Sequence, residues 1–402
     1  MSSPLPFAQR LDGMETSAIR ELFKLLANPA IISFAGGFPD ASLFDVAGIR
    51  AASEEALGEA TAGAVLGYGA TEGVPALRSA LVAYMGQQGA AVQADDLIVT
   101  TGSQQALDLI AKCMISPGDR VIVEAPTFLA AISCFKLYGA EVVGAPIDAD
   151  GVQPDALEAL IAEKKPKLIY LIPTFGNPSG ATLSRERRLK ILQLAAQHEI
   201  LVIEDDPYGQ LYFDAPPPPS LLALSAQVPG SRDWLCYAGS LSKTLAAGLR
   251  VGWLVAPAAL LGKAVMCKQF SDAHTSNLSQ QIAANYLASG RMQAGLQHAR
   301  RVYAGRSAAL CQGLQRELGE AVEFTAPEGG LFVWARLTGA GGKSADAASF
   351  ARRAIDELVA FVPGAPFFGR DPDTAAFRLS FATASEEKIA QGCARLARAL
   401  QA

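Results

Sequence analysis

The sequence predicts an α/β protein, and two observations carry that expectation. From about residue 95 to 256, short β-rich runs alternate with segments of helical period. In order these are "DLIVTT", "SQQALDLIAKCM", "RVIVEAP", "AAISCFKLYG", "KLIYLIP", "RERRLKILQLAAQ" and "ILVIEDD". The strands are near-continuous apolar runs, which is how a mostly parallel sheet reads when helices bury both of its faces. After about residue 285 the texture changes to a long helical stretch from "NYLASGRMQ" to "LQREL", strand-like "GGLFVWARL", helical "ADAASFARRAIDEL", strand-like "FRLSFA" and a closing helix "SEEKIAQGCARLARAL". That pattern predicts a second, smaller α+β domain. "APPPPS" at 215–220 reads as a surface loop, because proline neither donates to a ladder nor sits inside a helix.

Composition narrows the function. The 402 residues are 50% hydrophobic and 18% charged, which suits a globular chain with a large core. The net charge of −5 comes from 34 basic and 39 acidic residues without long like-charge runs, so neither nucleic acid nor an anionic membrane is an expected partner. No window reaches the roughly 20 apolar residues of a membrane helix. "MSSPLPFAQRLDGMETS" has no apolar stretch behind a basic one, so no secretory signal is expected. Six scattered cysteines, mostly in apolar segments, read as reduced core residues of a cytoplasmic protein. His198, His274 and His298 lack metal-ligand spacing, and there is no G-x-S-x-G elbow for a hydrolase, so no metal is expected and small-molecule chemistry remains.

In open α/β sheets ligands bind beyond the carboxyl ends of the strands. Here those ends carry Gly102-Ser103-Gln104, Thr127-Phe128, Asn177-Pro178, Asp205-Asp206-Pro207-Tyr208 and Ser240-Leu241-Ser242-Lys243. Ser103 and Gln104 open a helix behind a glycine, where free N–H groups favour a phosphate, although Ser103 alone could be a plain N-cap. Ser240, Ser242 and Arg250 would complete a phosphate cup. Asp205 ends a buried strand and needs a cationic or hydrogen-bonding partner, which the protonated nitrogen of a pyridine would supply. A ligand with a pyridine ring, a phosphate and an aldehyde, met by Lys243 in a run of small residues, is pyridoxal phosphate. On its own, Lys243 would read as a solvated loop lysine.

These stretches together resemble the class I and II aminotransferases, pyridoxal-phosphate enzymes of fold type I, over nearly the whole chain. "SLSKTLAAGLRVGW" matches the family's S-x-S-K followed by G-x-R-x-G, "PTFGNPSG" its N-P-x-G, and "EDDPYG" its D-x-x-Y, with "YGATEGVPALR", "VTTGSQQALDLI" and "FRLSFA" in the family's order. The resemblance implies a mostly parallel seven-stranded sheet flanked by helices, with a smaller α+β domain formed by the N- and C-terminal segments. Residues 1–45 would be an N-terminal helix and substrate segment, 46–288 the large cofactor-binding domain and 289–402 the small domain.

The resemblance also assigns roles. Lys243 would form the Schiff base and shuttle the proton. Asp205 would keep the pyridine nitrogen protonated, while Asn177 and Tyr208 would bind the ring's phenolic oxygen. Ser103, Gln104, Ser240, Ser242 and Arg250 would hold the phosphate, with Tyr68 reaching across a homodimer interface to the partner's cofactor. Arg378 would clamp the substrate carboxylate beside Gly36 and Gly37, unless it is a structural ion-pair residue. Phe128 stands where many members have a ring-stacking tyrosine: stacking survives, the phenol's hydrogen bond does not, and a plain core role is the alternative. "GMETSAIRELFKLLANPAIISFAGGFP" resembles the 2-aminoadipate, kynurenine and branched-chain subgroup. There Arg20 would meet a distal carboxylate, against the alternative of a solvated helix face.

The expected reaction is therefore amino transfer between an amino acid and 2-oxoglutarate by a ping-pong route. A C–S lyase, decarboxylase or synthase of the same fold is the alternative, since the cofactor's electron-sink chemistry serves them all. A cofactor-sensing transcription regulator would need a basic DNA-binding domain ahead of the match, and no basic recognition helix precedes it in this sequence.

Overall fold

The structure, a computed structural model, describes residues 5–14, 28–339 and 345–401. A short strand, β1 (Ile32–Ser33), pairs in parallel with β12 (Val359–Ala360) far along the chain, tying the N-terminal segment to the C-terminal region. The chain then builds its large sheet from β2 (Leu97–Thr100), β3 (Arg120–Ala125), β4 (Glu141–Asp148), β5 (Gly151–Val152), β6 (Leu168–Leu171), β7 (Leu201–Asp206), β8 (Leu235–Ser240) and β9 (Gly252–Val255). Their spatial order is β2-β9-β8-β7-β6-β3-β4-β5. β9 is antiparallel to both neighbours, while β8, β7, β6, β3 and β4 run parallel. Residues of β2, β6, β8 and β9 are all buried, so the apolar runs do mark strands covered on both faces.

The sheet has eight strands rather than the expected seven. The extra one, β5, is the two-residue return of a tight hairpin: Asp150 N–H bonds Asp148 Oδ1 at 2.8 Å, and Gly151, with φ +83°, turns the chain back antiparallel to β4. The long helical stretch expected after residue 285 is likewise two helices, Asn277–Ala288 and Met292–Leu318. The break falls at Gly290, whose φ of +73° no helix interior accepts.

The smaller sheet is antiparallel, with β10 (Val322–Phe324), β11 (Phe332–Leu337), β13 (Val362–Pro363) and β14 (Ala376–Ser380) in the order β10-β11-β14-β13. Phe350, Phe361 and Phe377 cluster on it with ring centroids 4.9–5.7 Å apart. Such contacts add about 0.5–1.5 kcal/mol per pair beyond burial, anchoring helix Ala347–Asp356 to the strand that carries Arg378. Residues 215–220 form neither helix nor strand, as expected. Among the described residues, no helix is long and apolar enough to cross a membrane, and all six cysteines are free.

Candidate active site

Because β2, β3, β6, β7 and β8 share one direction, their carboxyl ends lie on one edge, and the segments leaving them converge with β14 and the residues after β1. Lys243 follows β8 in a short π-helical turn, Ser242–Ala246. Its Nζ donates to the Gly37 carbonyl at 2.6 Å. Burial, reinforced by the charges of Arg378 and Arg250, pushes its ammonium down to about 8, and Asp205 offsets part of that. An amine in that range carries a useful fraction of its nucleophilic form near neutral pH.

Asp205, on β7, is 2% exposed. Its Oδ2 accepts from the Tyr170 hydroxyl at 2.7 Å, while Oδ1 has no partner among the described residues. Burial raises its carboxyl to about 7; Asp206 adds to the rise, whereas Tyr170 and Lys243 oppose it. A cationic N–H placed at Oδ1 would reverse that shift, since an ion pair favours the charged form.

Arg378, on β14, is 1% exposed and has its guanidinium over the rings of Phe332 (4.3 Å) and Phe367 (5.0 Å). Nη1 donates to Asn177 Oδ1 at 2.8 Å and Nη2 to the Ala35 carbonyl at 2.9 Å, leaving buried Nε unpaired. Burial lowers it to about 10, so it stays cationic at neutral pH. Gly37 lies against the same groups: a Cβ there would meet Phe332 at 3.4 Å and Arg378 Nη1 at 3.8 Å. At Gly36 a Cβ would meet the Phe38 ring at 2.9 Å. Tyr208 is buried edge-on to Phe332 at 5.8 Å. Burial pushes its hydroxyl up, against the pull of Arg378 and Asn177.

The third part of the site is a backbone cradle. Gly102, with φ +78°, caps helix Ser103–Met114, and a Cβ on it would lie 2.4 Å from Arg250 Nη2. Gly252 is as constrained, since its Cβ would lie 2.5 Å from the Gly102 carbonyl carbon and 2.7 Å from Ser103 N. Arg250, itself at φ +55°, donates from Nη1 to Ser242 Oγ at 3.3 Å and from Nη2 to the Thr101 carbonyl at 3.4 Å. Ser242 N–H bonds Ser240 Oγ at 3.1 Å. Gln104 lines a cavity of about 630 Å³ with Arg250, Thr101 and Asp272. Free N–H groups at a helix start, two hydroxyls and a guanidinium make a site for a dianion.

The structure thus brings Lys243, Asp205, Asn177, Tyr208, Arg378, Gly36 and Gly37 to one centre, with Ser103, Gln104, Ser240, Ser242 and Arg250 beside it. Phe128 precedes helix Leu129–Leu137 and is partly buried against the core. Tyr68 does not join the centre: it is 96% exposed, with its ring edge-on to His274 at 5.9 Å. Arg20 lies outside the described residues.

Comparison with known proteins shows the family. The family model "Aminotransferase class I and II" matches residues 32–396. This chain belongs to the class I and II aminotransferases. It is 40% identical over 397 residues to a 2-aminoadipate transaminase from Thermus thermophilus, covering 98% of this chain and 96% of that one. An aromatic-amino-acid aminotransferase from Thermococcus litoralis is 38% identical, with 98% and 94% covered. Among solved structures, an α-aminoadipate aminotransferase from Thermus thermophilus, complexed with N-(5′-phosphopyridoxyl)-L-leucine, superposes with a TM-score of 0.90 at 38% identity, covering 98% of this chain and 97% of that one.

The aminotransferase therefore has fold type I and uses pyridoxal phosphate. Its own residues fit that cofactor on independent grounds: Asp205 Oδ1 is a buried acceptor without a donor among the described residues, and Gly102 and Gly252 let Arg250 and the backbone after β8 close up against the start of helix Ser103–Met114. Sequence reasoning missed Tyr170, whose signal was one polar tip inside the otherwise apolar strand run "KLIYLIP". Phe332 and Phe367 were missed as well, because a phenylalanine beside a buried arginine reads as ordinary core until both are placed.

Proposed function

We propose that this aminotransferase moves the amino group of 2-aminoadipate, glutamate, or a branched-chain or aromatic amino acid between that donor and 2-oxoglutarate, by a ping-pong route and with broad specificity. The observation that carries the reading is the pairing of Lys243 with Gly37 and of Arg378 with Ala35, two cations held by carbonyls of one N-terminal segment. A substrate carboxylate would replace the Ala35 carbonyl on Arg378, whose guanidinium suits a bidentate grip. Breadth of donor is supported by relatives named for aminoadipate and for aromatic amino acids.

Pyridoxal phosphate supplies an electron sink for the charge that develops at the substrate Cα. In this reading Asp205 holds the proton on the ring nitrogen, Tyr208 and Asn177 bind the phenolic oxygen, and Phe128 stacks on the ring. Ser103, Gln104, Ser240, Ser242 and Arg250 hold the phosphate. Lys243 Nζ would take the proton from the substrate Cα and deliver it to the cofactor's C4′ carbon. Arg20 would meet the distal carboxylate of glutamate or aminoadipate and leave it for apolar donors.

Tyr68 would serve the cofactor of the partner in a homodimer, which its exposure supports. The chain would divide into a substrate segment (1–45), a large domain (46–288) and a small domain (289–402). A cytoplasmic setting is supported by the six free cysteines.

Initial rates measured at several fixed 2-oxoglutarate concentrations test the route. Parallel double-reciprocal lines are expected with 2-aminoadipate and with leucine, and intersecting lines would overturn it. For the specificity, Arg20→Ala should raise KM for 2-aminoadipate and glutamate while leaving leucine unchanged. An equal rise with leucine would remove Arg20 from the reading.

A further inference from the structure

Lys268 lies on helix Ala258–Ser271, outside the centre described above, and its side chain is fully buried. A buried ammonium persists only where acceptors surround it. Four do: Gln105 Oε1 at 2.8 Å, Asp272 Oδ1 and Oδ2 both at 2.9 Å, and Thr275 Oγ1 at 3.0 Å. Three of the four lead on to Thr101. Gln105 Oε1 also accepts from Thr101 N–H at 2.8 Å; Asp272 Oδ2 accepts from the Thr101 hydroxyl at 3.1 Å and from Gln105 Nε2 at 2.7 Å; and the hydroxyls of Thr275 and Thr101 meet at 3.1 Å. Thr101 in turn offers its carbonyl to Arg250 and precedes Gly102, the cap of the helix whose first N–H groups would face the phosphate.

We propose that Lys268 is a positioning residue for the cofactor phosphate, pinning the Thr101–Gln105 turn through Gln105, Asp272 and Thr275. The proposal rests on the reading that this turn and Arg250 hold the phosphate. Electrostatics give Lys268 a second duty. Asp272 lines the same cavity as Arg250 and Gln104, so an unpaired carboxylate there would oppose a bound dianion. Lys268 neutralises it at 2.9 Å, leaving the charge of Arg250 for the ligand.

The test compares the full-length protein, stripped of cofactor, with its variants in equilibrium binding of pyridoxal phosphate and of pyridoxal, which lacks the phosphate. Lys268→Met should weaken pyridoxal phosphate by at least about tenfold and pyridoxal by less than about twofold. A variant that merely loosened the fold would weaken both alike. Lys268→Met with Asp272→Asn should recover part of the loss, since it removes the uncovered charge. Gln105→Leu cuts the link to the Thr101 backbone without stranding a buried ion, so it carries the test if Lys268→Met fails to fold; a selective loss of about threefold is expected. Arg250→Ala is the control. If Arg250→Ala weakens pyridoxal phosphate selectively while Lys268→Met and Gln105→Leu do not, the role of Lys268 is overturned and the phosphate reading stands. If Arg250→Ala is itself unselective, the phosphate reading falls and this inference with it.

Discussion

The Tyr170 hydroxyl donates to Oδ2 of Asp205 at 2.7 Å and leaves Oδ1 as a buried acceptor with no donor. The bond orients the carboxylate and favours its ionised form against the desolvation that raises it to about 7. Asp205 is thus held rigidly with one oxygen free for a cationic N–H. Asp205→Asn should lower kcat/KM for 2-aminoadipate by about 10²-fold or more, since an amide does not hold the ring proton. Tyr170→Phe should give a smaller loss, because the carboxylate remains but its ionised form is less favoured. Kinetics showing Asp205→Asn near wild type would contradict the assignment.

Lys243 titrates at about 8 in the structure against an ordinary 10.5, so about a tenth of it is free amine at pH 7. The rate at which the stripped protein captures pyridoxal phosphate should therefore rise with pH, pass its midpoint near pH 8 and level off by about pH 9. A profile still climbing at pH 10 would show an unperturbed lysine. Lys243→Ala should lose at least about 10²-fold in turnover while the phosphate cradle still binds cofactor, as equilibrium dialysis would report.

Arg378 is buried, stacked between Phe332 and Phe367, and unpaired at Nε. Arg378→Lys should raise KM for every donor, by an amount worth about 2–5 kcal/mol, because an ammonium keeps the charge but not the planar two-point grip. A rise confined to dicarboxylic donors would move Arg378 from the α-carboxylate to a distal one.

Glu124 is a buried carboxyl whose one hydrogen bond among the described residues comes from Ile172 N–H at 2.8 Å, and burial raises it to about 8 from an ordinary 4.5. Between those values the folded state holds a proton that the unfolded state has released, so this group lowers stability as pH rises from 4.5 to 8. Glu124→Gln mimics the protonated form. Relative to wild type, it should gain about 1 kcal/mol or more in denaturant unfolding on going from pH 5 to pH 8. A pH-independent difference would show that Glu124 is ionised in the native protein.

Most of the fold was legible because its strands are covered on both faces and so read as apolar runs. The eighth strand and the break at Gly290 were not, since a two-residue hairpin return and a single glycine leave hardly any periodic signal. The centre was legible where a residue type is costly to bury at a strand end, as with Lys243 and Asp205, whereas Arg378 was read from the resemblance of "FRLSFA" to the family. Its supports were not. Tyr170 looks like a strand residue and Lys268 like a helix-surface lysine, and only packing brings them to Asp205 and to Thr101. Phe128 was read from the resemblance, as standing where many members have a ring-stacking tyrosine, and a core phenylalanine would look the same.

The most direct measurement is the visible absorption spectrum of the purified holoenzyme after adding glutamate, 2-aminoadipate, leucine, tyrosine or kynurenine in turn, with no oxo acid present. Amino transfer in two separate halves predicts that good donors abolish the band of the lysine-bound cofactor, that the amino form's band replaces it, and that 2-oxoglutarate restores the first. A spectrum that no amino acid converts would contradict the account.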